Sequence, residues 1–235
     1  MEQFPVIGVS ARGGVGKDYI TENFLYPGLS KHKRTLILCL ADHLKVDVVA
    51  KDKVDHDKVF GDTRDAETRR LLQRRGTEEG RQVYGDDVWI RVLKTWMRRH
   101  MARGIELFIV PDVRFINEAQ AIRDMGGIVI RLEAPKRNRA RFMKEAKGDE
   151  KLADSLMQHI SETELAGHPE LFDFIVPNDV GEEEQSRRAI TDIVANLDTN
   201  DLRGTKRKRC ECPTQDVDSD SHAENGHSDK KCKLN

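Results

Sequence analysis

The sequence predicts an α/β fold in which helices cover both faces of a five-stranded parallel sheet. Five short apolar runs are spaced along residues 4–176, and charged segments with helical spacing separate them. A glycine-rich turn also stands between the first apolar run and a helical stretch. The chain has 235 residues, which suits one domain of about 100–200 residues with an appendage.

The apolar runs are continuous, which is typical of strands buried on both faces of a parallel sheet. They lie at residues 4–10, 35–40, 106–111, 127–132 and 172–176. Residues 54–86 hold no such run and predict a helical insertion, and residues 135–170 predict a second helical excursion. Residues 87–101 predict an amphipathic helix. Its predicted apolar stripe comprises Trp89, Val92, Leu93, Trp96, Met97 and His100.

Composition divides the chain into a core domain at residues 1–199 and a disordered basic and acidic tail at residues 200–235. The tail contains no aromatic residue and cannot bury enough apolar area to offset ordering. Its basic clusters at 206–209 and 230–233 fit a nuclear import signal, read by an import receptor, and fit a solubilising tail equally well. Cytoplasmic and nuclear locations therefore both stay open, and the tail suggests a eukaryotic host or a virus of one.

Charge and hydropathy exclude two classes of partner. Lys and Arg number 40 against 41 Asp and Glu, for a net charge of −1, so we expect no direct binding of nucleic acid by the core. No stretch approaches the roughly 18 apolar residues of a membrane helix, and no signal peptide opens the chain. We therefore expect an intracellular protein with reduced thiols and no membrane association.

The glycine-rich turn reads Ala11-Arg12-Gly13-Gly14-Val15-Gly16-Lys17-Asp18. It follows the P-loop pattern G-x-x-x-x-G-K-[ST], in which backbone N–H groups, a helix N-terminus and a lysine bind phosphates. Ala11 replaces the first glycine, and Asp18 replaces the Ser or Thr that binds Mg²⁺. We predict phosphate binding by Arg12, Gly13, Gly14, Val15, Gly16, Lys17, Asp18 and Tyr19.

A carboxylate and an arginine follow the third apolar run. Asp112 stands at the carboxyl end of that predicted strand, where ligands of parallel sheets bind. It matches the position from which an acid holds Mg²⁺ in P-loop proteins, and a cap for the helix starting near Phe115 is the alternative. We therefore predict Asp18 and Asp112 as Mg²⁺ ligands, directly or through water, with Arg114 beside them.

Arginines are concentrated in both helical excursions. Arg137 and Arg141 are spaced i, i+4 on one helical face, which suits a lid that closes over phosphates. In the first excursion, Arg81 is the favoured ligand among several arginines that have acidic neighbours. Ser161 and Glu164 fit a capping box.

Several ordered segments together resemble a known family, the phage-type deoxynucleoside monophosphate kinases. They cover nearly all of residues 4–197. The matching residues are Gly16-Lys17-Asp18, Leu40 to Lys45, Leu72 to Glu78 with Arg81, Asp87 and Trp89, Pro111 to Phe115 with Asn117-Glu118, His159 to Glu164, and Phe172 to Asn178.

The resemblance implies a P-loop NTPase of the nucleoside-monophosphate-kinase-like fold, with ATP and Mg²⁺ as donor and a deoxynucleoside monophosphate as acceptor. It makes residues 54–86 the acceptor-binding insertion and residues 135–170 the lid region. The implied acceptor-site residues are Asp42, Lys45, Gln73, Arg81 and Trp89. The implied catalytic residues are Lys17, Arg114, Arg137 and Arg141.

Two alternatives stay open at this point. Animal phosphomevalonate kinases are also similar over Gly16 to Glu22. Tyr19 stands where the phage-type family usually has Thr, and together with Ala11 it keeps a non-catalytic nucleotide-binding protein in view. The oligomeric state is open as well, a homodimer being one alternative.

Overall fold

The computed structural model of the protein describes residues 2–197. The tail predicted at 200–235, with its basic clusters at 206–209 and 230–233, lies outside the described residues. None of the helices in the described part is long and apolar enough to cross a membrane.

The five predicted strands form one parallel sheet. They are β1 (Val6–Ala11), β2 (Thr35–Ile37), β3 (Leu107–Val113), β4 (Ile128–Glu133) and β5 (Phe174–Pro177). Their order is β2-β3-β1-β4-β5, and central Ile7 pairs with Ile109 on one side and Ile128 on the other. Every residue of β1 and β3 is buried, as the continuous apolar runs require. The predicted sheet is confirmed.

Helices connect the strands, as parallel pairing requires. They are α1 (Lys17–Ile20), α2 (Tyr26–Ser30), α3 (Asp42–Asp52), α4 (His56–Val59), α5 (Ala66–Gly76), α6 (Gln82–Tyr84), α7 (Val88–Met101), α8 (Ile116–Asp124), α9 (Pro135–Glu145), α10 (Glu150–Met157), α11 (Ile160–Thr163) and α12 (Glu183–Asn196). Single π-helical turns at Thr21–Leu25 and Thr77–Arg81 join α1 to α2 and α5 to α6.

Two apolar layers enclose the sheet. On one face, Leu29 of α2 and Ile190 of α12 pack with Ile7 of the central strand. On the other face, Met97 of α7 and Ile122 of α8 belong to a second buried cluster. The predicted α/β class, with helices on both faces, is therefore confirmed.

The apolar stripe of α7 differs from its prediction. Leu93 and Met97 are buried as expected, but Ile90 joins them, and Trp96 is 43% exposed. The residues at i, i+3 and i+7 face the sheet, whereas Trp96 stacks on His100 at a ring separation of 5.9 Å. The buried face of α7 is thus narrower than the predicted apolar stripe and is centred on Ile90, Leu93 and Met97.

The predicted acceptor insertion (residues 54–86) and the predicted lid region (residues 135–170) are both largely helical and contact each other. Ala66 of α5 packs with Phe142 of α9. Arg69 donates two hydrogen bonds, of 2.8 and 2.7 Å, to the carboxylate of Glu145, and both side chains are buried. The two excursions follow the carboxyl ends of parallel strands, so they meet beyond the same edge of the sheet.

Candidate active site

The phosphate loop (residues 11–18) joins β1 to α1, in the context that its motif predicts. Gly14 and Gly16 have φ angles of 75° and 87°, a region that glycine adopts without steric cost. A Cβ atom on Gly14 would lie 2.2 Å from Cβ of Arg141. Glycine is therefore required at position 14 by both its backbone and its neighbour.

Buried amide side chains hold the carbonyl groups of this loop. Asn138 donates to the Gly13 carbonyl at 2.7 Å, and Asn178 donates to the Val15 carbonyl at 2.7 Å. Both asparagines are nine-tenths or more buried. These two hydrogen bonds fix the conformation of the loop. Both donors lie more than a hundred positions further along the sequence.

Lys17 begins α1 and lines the cleft described below. Its ammonium group forms an ion pair with Asp18, the next residue. The side chain of Asp18 is exposed. Desolvation by the surrounding protein acts to raise its pKa, but the charge and hydrogen bond of Lys17, with the charges of Lys45 and Arg114, outweigh it and hold the pKa below the usual range. Asp18 is therefore an ionised carboxylate beside the phosphate-binding lysine.

Asp112 lies at the carboxyl end of β3, as predicted, but its carboxylate is already engaged. Its two oxygens accept the N–H groups of Leu40 at 2.8 Å and Ala41 at 2.9 Å. Asp112 thus holds the loop between β2 and α3, and its metal-binding role stays a prediction. The alternative, a cap for α8, is wrong, since Glu118 accepts the N–H groups of Arg114 and Phe115 instead.

A cleft of about 780 Å³ joins the phosphate loop to the acceptor insertion. This volume is in the range of small-molecule sites. The predicted site residues that line the cleft are Gly13, Gly14, Gly16, Lys17, Asp18, Tyr19, Asp42, Lys45, Gln73, Trp89, Asp112, Arg114 and Arg141. The predicted site residues outside its lining are Arg12, Val15, Arg81 and Arg137.

Part of the cleft lining is apolar. Phe60, Leu44 and Leu72 form this part together with Trp89. The indole N–H of Trp89 donates to the Gly76 carbonyl at 2.9 Å, so the ring is fixed in place. An aromatic and aliphatic wall suits the face of a nucleobase.

Arg81 is buried outside the cleft lining, against Phe115. Its guanidinium is 3.8 Å from the ring centroid of Phe115 and donates to Asn117 at 3.0 Å. It also pairs with the buried carboxylate of Glu118 at 3.4 Å, and burial raises the pKa of Glu118 to about 7. The sequence predicted Arg81 as a ligand in the acceptor site. Its guanidinium is instead occupied by Phe115, Asn117 and Glu118, so its role as a ligand stays a prediction.

The two predicted lid arginines have different surroundings. Arg141 lines the cleft and donates to Glu145 at 2.7 Å. Arg137 pairs with Glu183 of α12, and its backbone N–H donates to Asp179 at 3.1 Å. Arg137 therefore faces away from the cleft in this structure, and its catalytic role stays a prediction.

Arg64 is a cleft cation that the sequence analysis missed. Its guanidinium donates to the carbonyls of Lys58, at 3.2 Å, and Val59. The other five cations of the cleft each pair with a carboxylate: Lys17, Lys45, Arg69, Arg114 and Arg141. Burial lowers the pKa of Arg64 to about 10, and the charge of Arg69 acts in the same direction. Arg64 is still a cation at neutral pH.

Glu162 is the second residue that the sequence analysis missed. It lies in the segment predicted as a capping box between Ser161 and Glu164, and that prediction is wrong, because His159 caps α11 through the N–H of Ser161. Glu162 instead points inward to the N–H of Gly13 at 2.8 Å. The sequence analysis included Glu162 only within the family-matching segment His159 to Glu164, and nothing near it in the sequence indicated a contact with Gly13.

A larger groove of about 1180 Å³ lies between α5 and α10. Its lining carries mixed charges, Arg70 and Glu67 among them, and includes no residue of the phosphate loop. The described part of the chain also holds no group of three or more His, Cys, Asp or Glu side chains placed to bind a metal ion.

Comparisons with known proteins cover most of the described residues. The family model for deoxynucleotide monophosphate kinase matches residues 18–181. The comparison with curated proteins found no match. Among solved structures, the chain is similar to a shikimate kinase from Bacteroides thetaiotaomicron, at 14% identity and a TM-score of 0.42, over 82% of this chain and 97% of that one.

The family match spans more than half of the chain, from Asp18 through both helical excursions. It gives no support to the phosphomevalonate kinase alternative, and it names a catalytic family rather than a non-catalytic nucleotide-binding protein. The chain belongs to the deoxynucleotide monophosphate kinase family.

Proposed function

We propose that the protein transfers the γ-phosphoryl group of ATP to a deoxynucleoside monophosphate bound in the cleft. One observation carries the proposal: six cationic side chains line a single cleft whose lining also includes the phosphate loop and an apolar wall. The six cations are Lys17, Lys45, Arg64, Arg69, Arg114 and Arg141. Such a cleft suits two phosphorylated substrates placed end to end.

ATP binds with its phosphates on the phosphate loop. The N-terminus of the helix that begins at Lys17 presents positive backbone charge to these phosphates. Lys17 adds its ammonium group at the terminal phosphates. The acceptor enters from the opposite side, with its base against Trp89 and Phe60 and its phosphate toward Arg64.

The residues present fit a Mg²⁺ ion. Asp18 and Asp112 both line the cleft, and their carboxylate oxygens are ligands that Mg²⁺ prefers. Mg²⁺ commonly takes one or two protein carboxylates together with substrate phosphates. Bound with ATP, it offsets the charge of the β- and γ-phosphates. Each oxygen of Asp112 already accepts one backbone N–H group, so this carboxylate has fewer lone pairs left for a metal ion than a carboxylate without hydrogen bonds.

In the transfer step, a phosphate oxygen of the acceptor forms a bond to the γ-phosphorus. The bond from that phosphorus to the β,γ-bridging oxygen breaks, and the bridging oxygen leaves with ADP. An ionised acceptor phosphate has no proton to remove, so no strong general base is required. Arg114 and Arg141 offset the charge on the transferring group, and positioning with electrostatics provides the rate.

The test is an ADP-release assay with the four deoxynucleoside monophosphates, the four ribonucleoside monophosphates and phosphomevalonate as acceptors. We expect turnover with at least one deoxynucleoside monophosphate. The Lys17→Ala variant is the control for a contaminating kinase, since it should lose that turnover. Turnover with phosphomevalonate alone, or with no acceptor, would contradict the proposal.

A further inference from the structure

Both backbone polar groups of Gly13 are bonded to buried side chains of the lid region. Its N–H donates to Oε2 of Glu162 at 2.8 Å, and its carbonyl accepts from Nδ2 of Asn138 at 2.7 Å. Asn138 is 2% exposed and Glu162 is 6% exposed. A buried polar group without a hydrogen bond is costly, so the loop and the two side chains depend on each other.

The packing around Gly13 leaves little freedom for this arrangement to change. A Cβ atom on Gly13 would lie 3.0 Å from two ring atoms of Phe142. The guanidinium of Arg69 lies over the same ring, 4.9 Å from its centroid. Gly13 is therefore enclosed by the lid region on its N–H, its carbonyl and its Cα.

Glu162 has a second contact, toward the cleft. Its Oε1 lies 2.8 Å from Nη1 of Arg114 and 3.9 Å from Nη1 of Arg69. The contact with Arg114 is an ion pair without hydrogen-bond geometry, and among the described residues Nη1 of Arg114 has no hydrogen-bond acceptor. Glu162 thus holds the charge of Arg114 in place in the lining of the cleft.

We propose that Asn138 and Glu162 are positioning residues of the kinase reaction. Asn138 fixes the phosphate loop in its ATP-binding conformation through Gly13. Glu162 contributes to the same conformation and also orients Arg114 toward the transferring phosphoryl group. A loop that is ordered before binding loses less entropy when ATP arrives. The part that concerns turnover rests on the proposed function, whereas the part that concerns ATP affinity does not.

Two substitutions separate the two contacts. Asn138→Ala removes the donor to Gly13 and leaves Arg114 paired, so we expect ATP affinity to fall about tenfold with kcat at saturating ATP nearly unchanged. Glu162→Gln keeps an oxygen for the Gly13 N–H and removes the charge beside Arg114. We expect kcat to fall about tenfold or more, with ATP affinity nearly unchanged.

The measurements are equilibrium binding of a fluorescent ATP analogue and steady-state kinetics, both well below the midpoint of thermal unfolding. Asn196→Ala and Glu170→Gln, at exposed sites outside the cleft, are the matched controls. If Asn138→Ala does not fold, Asn138→Ser keeps a hydroxyl donor, and it should bind ATP more weakly than the unsubstituted protein.

The proposal is supported if Asn138→Ala lowers ATP affinity with little change in kcat and Glu162→Gln lowers kcat with little change in ATP affinity. Lower thermal stability with ATP affinity and kcat both within about twofold of the unsubstituted protein would overturn it, and so would equal losses of both parameters in both variants. If the unsubstituted protein turns over no deoxynucleoside monophosphate, the proposed function fails, but the binding measurement on the Asn138 variant still decides the role of that residue.

Discussion

Replacing Arg64 with glutamine is expected to weaken acceptor binding much more than ATP binding. In the structure Arg64 lines the cleft, and within residues 2–197 its guanidinium donates hydrogen bonds to the carbonyls of Lys58 and Val59 alone. Glutamine retains an N–H₂ group that can reach a carbonyl, so the loop keeps a donor while the charge is lost. The substitution therefore isolates the attraction between Arg64 and the acceptor phosphate.

The size of the effect follows from the surroundings of Arg64. A unit charge about 4 Å from a phosphate charge contributes roughly 4 kcal/mol at an effective dielectric constant of about 20. Desolvation reduces this gain, and the remaining cations Arg69 and Arg141 stay in the cleft. A net loss of about 1.5–3 kcal/mol, typical of a hydrogen bond to a charged group, is then expected. It corresponds to a fall of roughly 10- to 150-fold in kcat/KM for the acceptor.

The assay is steady-state kinetics with each substrate varied in turn, using the deoxynucleoside monophosphate that is turned over fastest. Arg70→Gln is the matched control, because Arg70 is exposed and lines the other groove. Arg64→Lys should recover only part of the loss, since an ammonium group cannot form the two-pronged contact of a guanidinium. An Arg64→Gln enzyme with an acceptor KM within about twofold of the unsubstituted value, or with ATP and acceptor KM raised equally, would refute the reasoning.

Four further predictions follow from the same structure. Lys17→Ala should cost about 3–4 kcal/mol of transition-state stabilisation, measured as a loss of kcat in a correctly folded variant. Arg141→Ala should lower kcat strongly and Arg137→Ala only slightly, because Arg141 lines the cleft whereas Arg137 pairs with Glu183; single-turnover rates distinguish the two. Asp65→Ala should destabilise the protein by about 1 kcal/mol at pH 7, because the carboxylate caps α5 and bonds to Lys58, which lowers its pKa to about 2. That stabilisation is present above the unfolded pKa and is lost as pH falls toward about 2, so chemical denaturation of the two proteins should converge there. Deleting residues 200–235 should leave kcat unchanged, and we propose that the tail fused to a cytosolic reporter moves it into the nucleus.

Each of these predictions has a contradicting result. A Lys17→Ala enzyme that keeps more than about a tenth of kcat would contradict the P-loop assignment. Equal losses in the two lid variants would mean that Arg137 enters the cleft during turnover. A difference in stability between Asp65→Ala and the unsubstituted protein that does not change with pH would exclude the charged cap. A reporter that stays in the cytosol would leave the tail its solubilising role.

Local sequence was sufficient to predict the fold. The strands are visible as apolar runs because both faces of a parallel sheet are buried, so hydropathy alone marks them. The phosphate loop is visible because its glycines, lysine and flanking elements are contiguous. Asp112 was also found at its strand end, although its bonds to Leu40 and Ala41 were not foreseen. Those bonds join two segments that are about seventy residues apart in the sequence.

The missed residues share a physical cause. Glu162 bonds to Gly13 across 149 positions, and Arg69 bonds to Glu145 across 76 positions. From the sequence alone, a charged residue on a helix is assigned to the solvent-exposed face unless its partner is known. The sequence also does not distinguish one arginine of a basic segment from another. Arg64, Arg70 and Arg81 could therefore be separated only by the tertiary structure, which places them in the cleft, in the other groove and against Phe115.

Internal carboxylates explain how six cations can line one cleft and keep a fixed geometry. Glu145 accepts hydrogen bonds from Arg69 and Arg141. Burial acts to raise the pKa of Glu145, but the bond and charge of Arg69 outweigh it and hold the pKa below the usual range, so Glu145 is ionised at neutral pH. The buried carboxylate of Glu145 reduces the electrostatic attraction between the cleft and a phosphate. Without it, the desolvated guanidinium groups of Arg69 and Arg141 would repel each other and move toward water. The internal carboxylates therefore reduce the attraction for phosphate and fix the geometry of the cleft. Among the described residues, Arg64 donates hydrogen bonds to carbonyls and to no carboxylate. In the proposed function, the acceptor phosphate therefore compensates the charge of Arg64.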